Sequence, residues 1–224
     1  MTVLLLIATF AFFITIDYVR KAKSAPHTEF VQPKRETIAV VQMPEYVAEF
    51  ALPDNRRYHP GHTWALQESP SLVRVGLDDF AARLAGKIDN IHLPKRGQWI
   101  RQGQKLATIF RDGKSAELVS PIEGEVTGIN EALLTNSSAA CSDPYGKGWL
   151  ISVFSPDATT NFRNLLSGNV ARRWMAEAAS RLQAELAAAP AGAVAQDGGL
   201  AIPDLTAELQ GQKWSEVTHE FFLT

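Results

Sequence analysis

Residues 93–126 read LPKRGQWIRQGQKLATIFRDGKSAELVSPIEGEV. Leu106, Thr108 and Phe110 fall on one side of a period-2 pattern, the signature of a strand. Asp112-Gly113 is a favoured pair for a two-residue type I′ turn, because both central residues need positive φ and glycine takes it without steric cost. The segment after Lys114 then reads as the returning strand, and the clusters Pro94-Lys95-Arg96-Gly97 and Gln102-Gly103-Gln104 mark turns before the hairpin. The same alternation recurs at Val73, Val75 and Leu77, at Ile91 and Leu93, and at Trp149, Ile151 and Val153. Short strands at this spacing between Leu72 and Phe154 predict a mainly β fold, a sandwich or barrel. One brief helix is expected within it. Asp78 is a good N-cap, Phe80, Ala81, Leu84 and Ala85 share a face, and Gly86 ends it.

Beyond Phe154 the period changes. Val170, Trp174, Ala178, Leu182 and Leu186 recur every four residues, which predicts a helix. Residues 187–199 (AAAPAGAVAQDGG) read as a flexible linker. Residues 200–224 regain apolar side chains but are too few to fold alone, so they must pack on this chain or on a partner. We read Trp214, Phe221 and Phe222 as partner-binding residues of a C-terminal docking segment. Residues 24–57 hold four prolines and read as an extended connector with one strand at 37–42.

The first residues set the expected location. From Val3 to Ile16 no charge occurs, and the window from Met1 to Val19 would reach nearly ~28 Å as a helix, against a hydrocarbon core of roughly 30 Å. A secretory signal wants basic residues before the apolar run, but here Arg20, Lys21 and Lys23 follow it, which favours an uncleaved transmembrane anchor over residues 1–23. Lys34 and Arg35 add to the basic side. By the positive-inside rule the remainder should face the cytoplasm from a single-pass position in the cytoplasmic membrane.

Composition excludes several function classes. The chain has 224 residues, with 22 Lys+Arg against 24 Asp+Glu and a net charge of -2. That balance lacks the electrostatic footprint of a nucleic-acid binder. One cysteine, Cys141, leaves no CxxC pair, disulfide framework or thiolate zinc cage. Gly113-Lys114-Ser115 echoes a phosphate-binding loop, but the glycine required five residues earlier is Thr108 and a strand follows. His59 and His62 flank Pro60-Gly61 without a third ligand nearby, so no metal is expected. With no nucleophile–base constellation in the sequence, the chain is not expected to be an enzyme.

The β region resembles a known family. Tyr58-His59-Pro60-Gly61-His62-Thr63-Trp64, Val75-Gly76-Leu77-Asp78-Asp79-Phe80-Ala81, Leu93-Pro94 with Gly97, Ser120-Pro121-Ile122-Glu123-Gly124-Glu125-Val126, Asn130-Glu131-Ala132-Leu133 and residues 143–150 (DPYGKGWL) are similar, in order, to the H protein of the glycine cleavage system. The resemblance covers residues 58–176 and implies a lipoyl-type β sandwich (barrel-sandwich hybrid) with short flanking helices. It also implies a family role: carrying a lipoyl-lysine arm between the P, T and L enzymes. The anchor and the C-terminal helical extension lie outside it.

Two departures from the family pattern shape the functional expectation. In the family the lipoylated lysine lies ten residues after the glycine matched by Gly103 and seven before the serine matched by Ser120, and both counts lead to Gly113. The nearest lysine, Lys114, is one place later, and a one-residue shift turns a side chain to the other face. Asp112, Gly113 and Lys114 thus read as a degenerate attachment turn. The glutamate that the family usually places three residues before its lysine is Phe110 here. The family's His-Glu-Trp, whose acid contacts the loaded arm, is His62-Thr63-Trp64, and a hydroxyl cannot neutralise an amine. We therefore expect a membrane-tethered module without lipoate that serves as a binding or scaffold subunit of a membrane complex. The alternative is a lipoyl carrier modified at Lys114.

Overall fold

The structure is a computed structural model that describes residues 11–18, 45–187 and 212–224. The chain divides into two compact units, Met1–Gln42 and Met43–Thr224. In the first, α1 covers residues 11–18. Its Thr15 hydroxyl donates to the carbonyls of Ala11 (3.0 Å) and Phe12 (2.8 Å), so this hydroxyl is bonded within the helix. Among the described residues no helix is long and apolar enough to cross a membrane. Most of the expected anchor, and the strand expected at 37–42, lie outside the described residues.

The second unit opens with a small hairpin, β1 (Tyr46–Val47) and β2 (Phe50–Ala51). This corrects the reading of 24–57 as connector throughout. Phe50 and Leu52 are buried, and the Phe50 ring lies 5.0 Å from Phe80, so the end of that stretch belongs to the core.

Two sheets follow. The larger has the order β3 (Arg57–His59), β4 (Thr63–Gln67), β5 (Leu72–Leu77), β11 (Ile151–Phe154), β10 (Gly124–Ile129) and β7 (Trp99–Ile100). The smaller has β6 (Asn90–His92), β8 (Lys105–Arg111) and β9 (Lys114–Val119). All pairings are antiparallel. Their inner faces supply Val73, Val75, Ile91, Ile109, Leu118, Val126 and Val153 to one buried core. β8 does not keep strict alternation. The register shifts between Lys105 and Ala107, and this irregularity lets both Leu106 and Ile109 point inward.

Helix α2 (Asp79–Ala85) forms where the N-cap predicts it. The Asp78 carboxylate accepts from the Ala81 N–H at 2.8 Å, Phe80, Ala81, Leu84 and Ala85 are buried, and Gly86 closes the helix at φ 65°. Short helices α3 (Ala132–Thr135), α4 (Ala139–Ser142) and α5 (Ala158–Arg163) sit in the connections. Helix α6 (Gly168–Ala187) buries Ala178 and Leu182 of the expected stripe and packs Trp174 and Leu186 against the core, with Ala171, Met175 and Ala179 buried beside them; Val170 is exposed. Residues 188–211, which include most of the expected linker, lie outside the described residues. Helix α7 (Gln212–Phe222) ends the chain.

Candidate functional site

The β8–β9 hairpin pairs from Lys105 opposite Val119 to Arg111 opposite Lys114. Between them Asp112 and Gly113 take φ 48° and 73°, as a type I′ turn requires. A Cβ on Gly113 would meet nothing within 4 Å, so backbone conformation rather than crowding makes glycine suited to the position. The turn is tied to the loop after α2. The Asp112 N–H donates to Asp89 Oδ2 at 2.7 Å, and Arg111 Nη1 donates to the Ala85 carbonyl at 3.1 Å. Lys114 opens β9 with its side chain exposed.

His62-Thr63-Trp64 stands at the start of β4. Pairing of Thr63 with Leu77 brings His62 beside Asp78, sixteen residues on. His62 Nδ1 lies 2.9 Å from Asp78 Oδ2, and the accepting carboxylate places the ring proton on that nitrogen. The imidazole is stacked on Phe80 (4.0 Å) and tilted against Trp174 (4.5 Å). These contacts hold His62 at φ 60°, a left-handed conformation uncommon for a residue with a side chain. A base-and-orienter pair of this kind could serve catalysis, but both residues are buried and no hydroxyl or thiol bonds the ring among the described residues. In this geometry the pair caps α2 and ties it to the start of β4. The Asp78→Ala variant is expected to lose about 2–4 kcal/mol, combining a lost helix cap with a buried donor left unpaired. Asp78→Asn keeps a cap and should lose less, and urea unfolding of the two variants checks this.

Thr63 is buried, and its hydroxyl donates to the Val119 carbonyl of β9 at 3.0 Å. Trp64 Nε1–H donates to the Pro144 carbonyl at 3.1 Å, and the Arg56 guanidinium lies 4.9 Å above the Trp64 ring and 5.0 Å from the Tyr145 ring. Burial pushes the Tyr145 and Tyr58 phenols well up, and both donate to backbone carbonyls, of Ala51 (2.7 Å) and Pro53 (2.8 Å). These phenols hold the β1–β2 region and the residues after it on the sandwich.

Helix α7 packs against β9 and α2. Trp214 Nε1–H donates to the Leu84 carbonyl at 3.1 Å, the Phe221 ring lies 5.1 Å from Phe80, and Phe222 is fully buried. At Gly61 a Cβ would come within 2.5 Å of Val119 Cγ2 and 2.9 Å of the Phe222 carbonyl, so glycine there permits the helix end to approach. Arg181 of α6 pairs with Glu220 and lies over the Phe221 ring (5.2 Å). This corrects the reading of Trp214, Phe221 and Phe222 as partner-binding residues. Their apolar face is covered by the chain's own module, which supplies the apolar surface and the carbonyl that these rings need.

The remaining candidates stand apart. Gly113-Lys114-Ser115 runs from a turn into a strand, not into a helix. His59 Nδ1 accepts from the Gly61 N–H at 3.0 Å, and burial, with His62 nearby, lowers its pKa. Cys141 lies half-buried on α4. Among the described residues no cluster of three or more His, Cys, Asp or Glu side chains could hold a metal ion. The sequence did not reveal the His62–Asp78 pair. Its signal was an N-cap aspartate preceded, one strand earlier, by a histidine at the mirrored position.

Two packed antiparallel sheets, the β8–β9 hairpin with its Asp112-Gly113 turn and short flanking helices define the lipoyl-type, H-protein-like sandwich. Residues 56–178, just over half of the chain, match the family model for the glycine cleavage H-protein, and the chain belongs to that family. It is 31% identical over 130 residues to a probable glycine cleavage system H protein 2 of Sulfurisphaera tokodaii, covering 56% of this chain and 86% of that one. It is 32% identical over 116 residues to the glycine cleavage system H protein of a Psychrobacter species, covering 52% and 91%. A crystal structure of the Mycobacterium marinum H protein superposes with TM-score 0.48 and 24% identity over 56% of this chain and 98% of that one.

Proposed function

We propose that this chain is an H-protein-family module that carries no lipoyl group and acts as a binding or scaffold subunit of a membrane-associated complex. The observation that carries the reading is the hairpin turn. Its two central positions are Asp112 and Gly113, both at positive φ, and neither supplies an amine. The residues at this turn do not fit a lipoyl-lysine at the position that the family resemblance assigns. Thr63 adds support: it is buried, with its hydroxyl committed to a backbone carbonyl, where the family pattern has an acid for the loaded arm.

The tether and the cytoplasmic orientation are part of the same proposal. They rest on the uncharged run from Val3 to Ile16, the basic residues after it, and the self-satisfied hydroxyl of Thr15. Intact mass of the full chain isolated from its native host under lipoate-replete growth tests the main claim. The unmodified mass is expected; a lipoyl adduct would overturn the reading and establish the carrier alternative. That alternative has one observation in its favour, the exposed Lys114 beside the turn. Retention of the chain in the membrane pellet after a carbonate wash is the expected result for the tether, and release of intact protein would remove it.

A further inference from the structure

The outer face of the larger sheet carries a row of side chains that neither the hairpin nor α7 uses. Across β7, β10 and β11 the register sets Trp99 opposite Glu125 and Glu125 opposite Phe154. Directly opposed residues share a face with Cβ atoms about 4.5–5.5 Å apart, so the three side chains leave the sheet in line with Glu125 in the middle, its Oε1 lying 4.0 Å from where a Cβ on Gly97 would stand, in the turn before β7. The alternate positions Ile100, Val126 and Val153 point into the core. Trp99 is 51% exposed and Phe154 44%, so each ring has about half its surface without a partner.

Glu125 is exposed and has no hydrogen bond or ion pair to any described residue. Two guanidinium groups near the row are already held elsewhere. Arg74, whose strand neighbour Leu72 opposes Phe154, pairs with Glu68 at 2.6 Å and lies over Trp149. Arg96, in the turn before β7, pairs with Glu131 at 2.8 Å. β7 is also the edge strand of its sheet, so the row opens toward an unpaired backbone edge.

An unpaired carboxylate between two half-open aromatic faces matches one side chain better than any other. A guanidinium is planar, meets a carboxylate through paired N–H donors, stacks on aromatic faces, and loses hydration more readily than an ammonium. We propose that Trp99, Glu125 and Phe154 form a binding site for an arginine side chain, presented by a partner protein along the β7 edge. The site belongs to the six-stranded sheet and the hairpin to the three-stranded one, so the inference holds whether or not Lys114 is modified.

The test uses the full chain, labelled with nitrogen-15, and follows the indole N–H resonance of Trp99, identified through the Trp99→Phe variant. N-acetyl-arginine methylamide is the probe, and the citrulline analogue, equal in shape but uncharged, is the control. A saturable shift with the arginine probe is expected, with affinity about tenfold weaker in Glu125→Gln and weaker in Phe154→Leu. All three residues are exposed, so these variants should fold. Equal affinity in Glu125→Gln, equal response to citrulline, or no saturable shift would each overturn the proposal.

Discussion

Removal of residues 200–224 is expected to unfold the sandwich rather than release a docking tail. Trp214, Val217, Phe221 and Phe222 are buried on α2, β9 and the His62–Phe80 stack. Burying each such side chain contributes about 1.5–3 kcal/mol, so losing all four removes roughly 6–12 kcal/mol. The whole stability of a domain of this size is about 5–15 kcal/mol. The helix cannot be discarded at that cost. Truncation also strips cover from Phe80, Leu84 and Val119, which would then face water. The truncated chain should show far-ultraviolet signal without a cooperative thermal transition, and should bind hydrophobic dyes. Phe222→Ala isolates the effect within the full chain and should cost about 3–5 kcal/mol. A truncated protein melting within about 5 °C of the full chain would show that α7 is peripheral.

Much of this architecture was legible because local chemistry and tertiary structure agree. The α2 boundaries follow from Asp78 and Gly86, whose conformations depend on the helix alone, and the hairpin turn follows from Asp112-Gly113 in the same way. The β1–β2 hairpin was not legible. Its turn residues, Ala48 and Glu49, take φ 47° and 70° without the glycine or asparagine that usually announces such a turn, and each strand has only two residues. In α6 the four-residue period found the core face, since Trp174, Ala178, Leu182 and Leu186 all pack on it, and failed only at Val170, which is exposed in the first turn. Periodicity did identify the apolar face of the last segment. It cannot say what covers that face, because cover depends on contacts such as Trp214 to Leu84, 130 residues apart. The His62–Asp78 pair was hidden for a related reason, since only the β4–β5 register brings the two together. The parts of the site that failed to announce themselves are those made by long-range pairing.

Restoring the family's acid by Thr63→Glu is expected to destabilise this chain strongly, and the pH dependence of the loss distinguishes the cause. Thr63 is fully buried, and the polar atom facing its hydroxyl is the Val119 carbonyl, an acceptor. A carboxylate there would have no donor to replace the lost solvation and would oppose a carbonyl oxygen, at a cost of more than about 3 kcal/mol near neutral pH. Burial would raise the folded-state pKa of the new acid above its unfolded value near ~4.3. The folded state then binds the proton more tightly, so stability falls as pH rises from the unfolded pKa toward the folded one, and partial recovery is expected toward pH ~4. Thr63→Val removes the hydroxyl without adding charge, and should cost about 1 kcal/mol with no such pH dependence. Denaturant midpoints of the three proteins at two pH values make the comparison. A Thr63→Glu chain as stable as the parent at neutral pH would mean that position 63 can still receive an acid. The expected collapse would instead tie the missing acid to the packing of β4 against β9, the strand on which α7 rests.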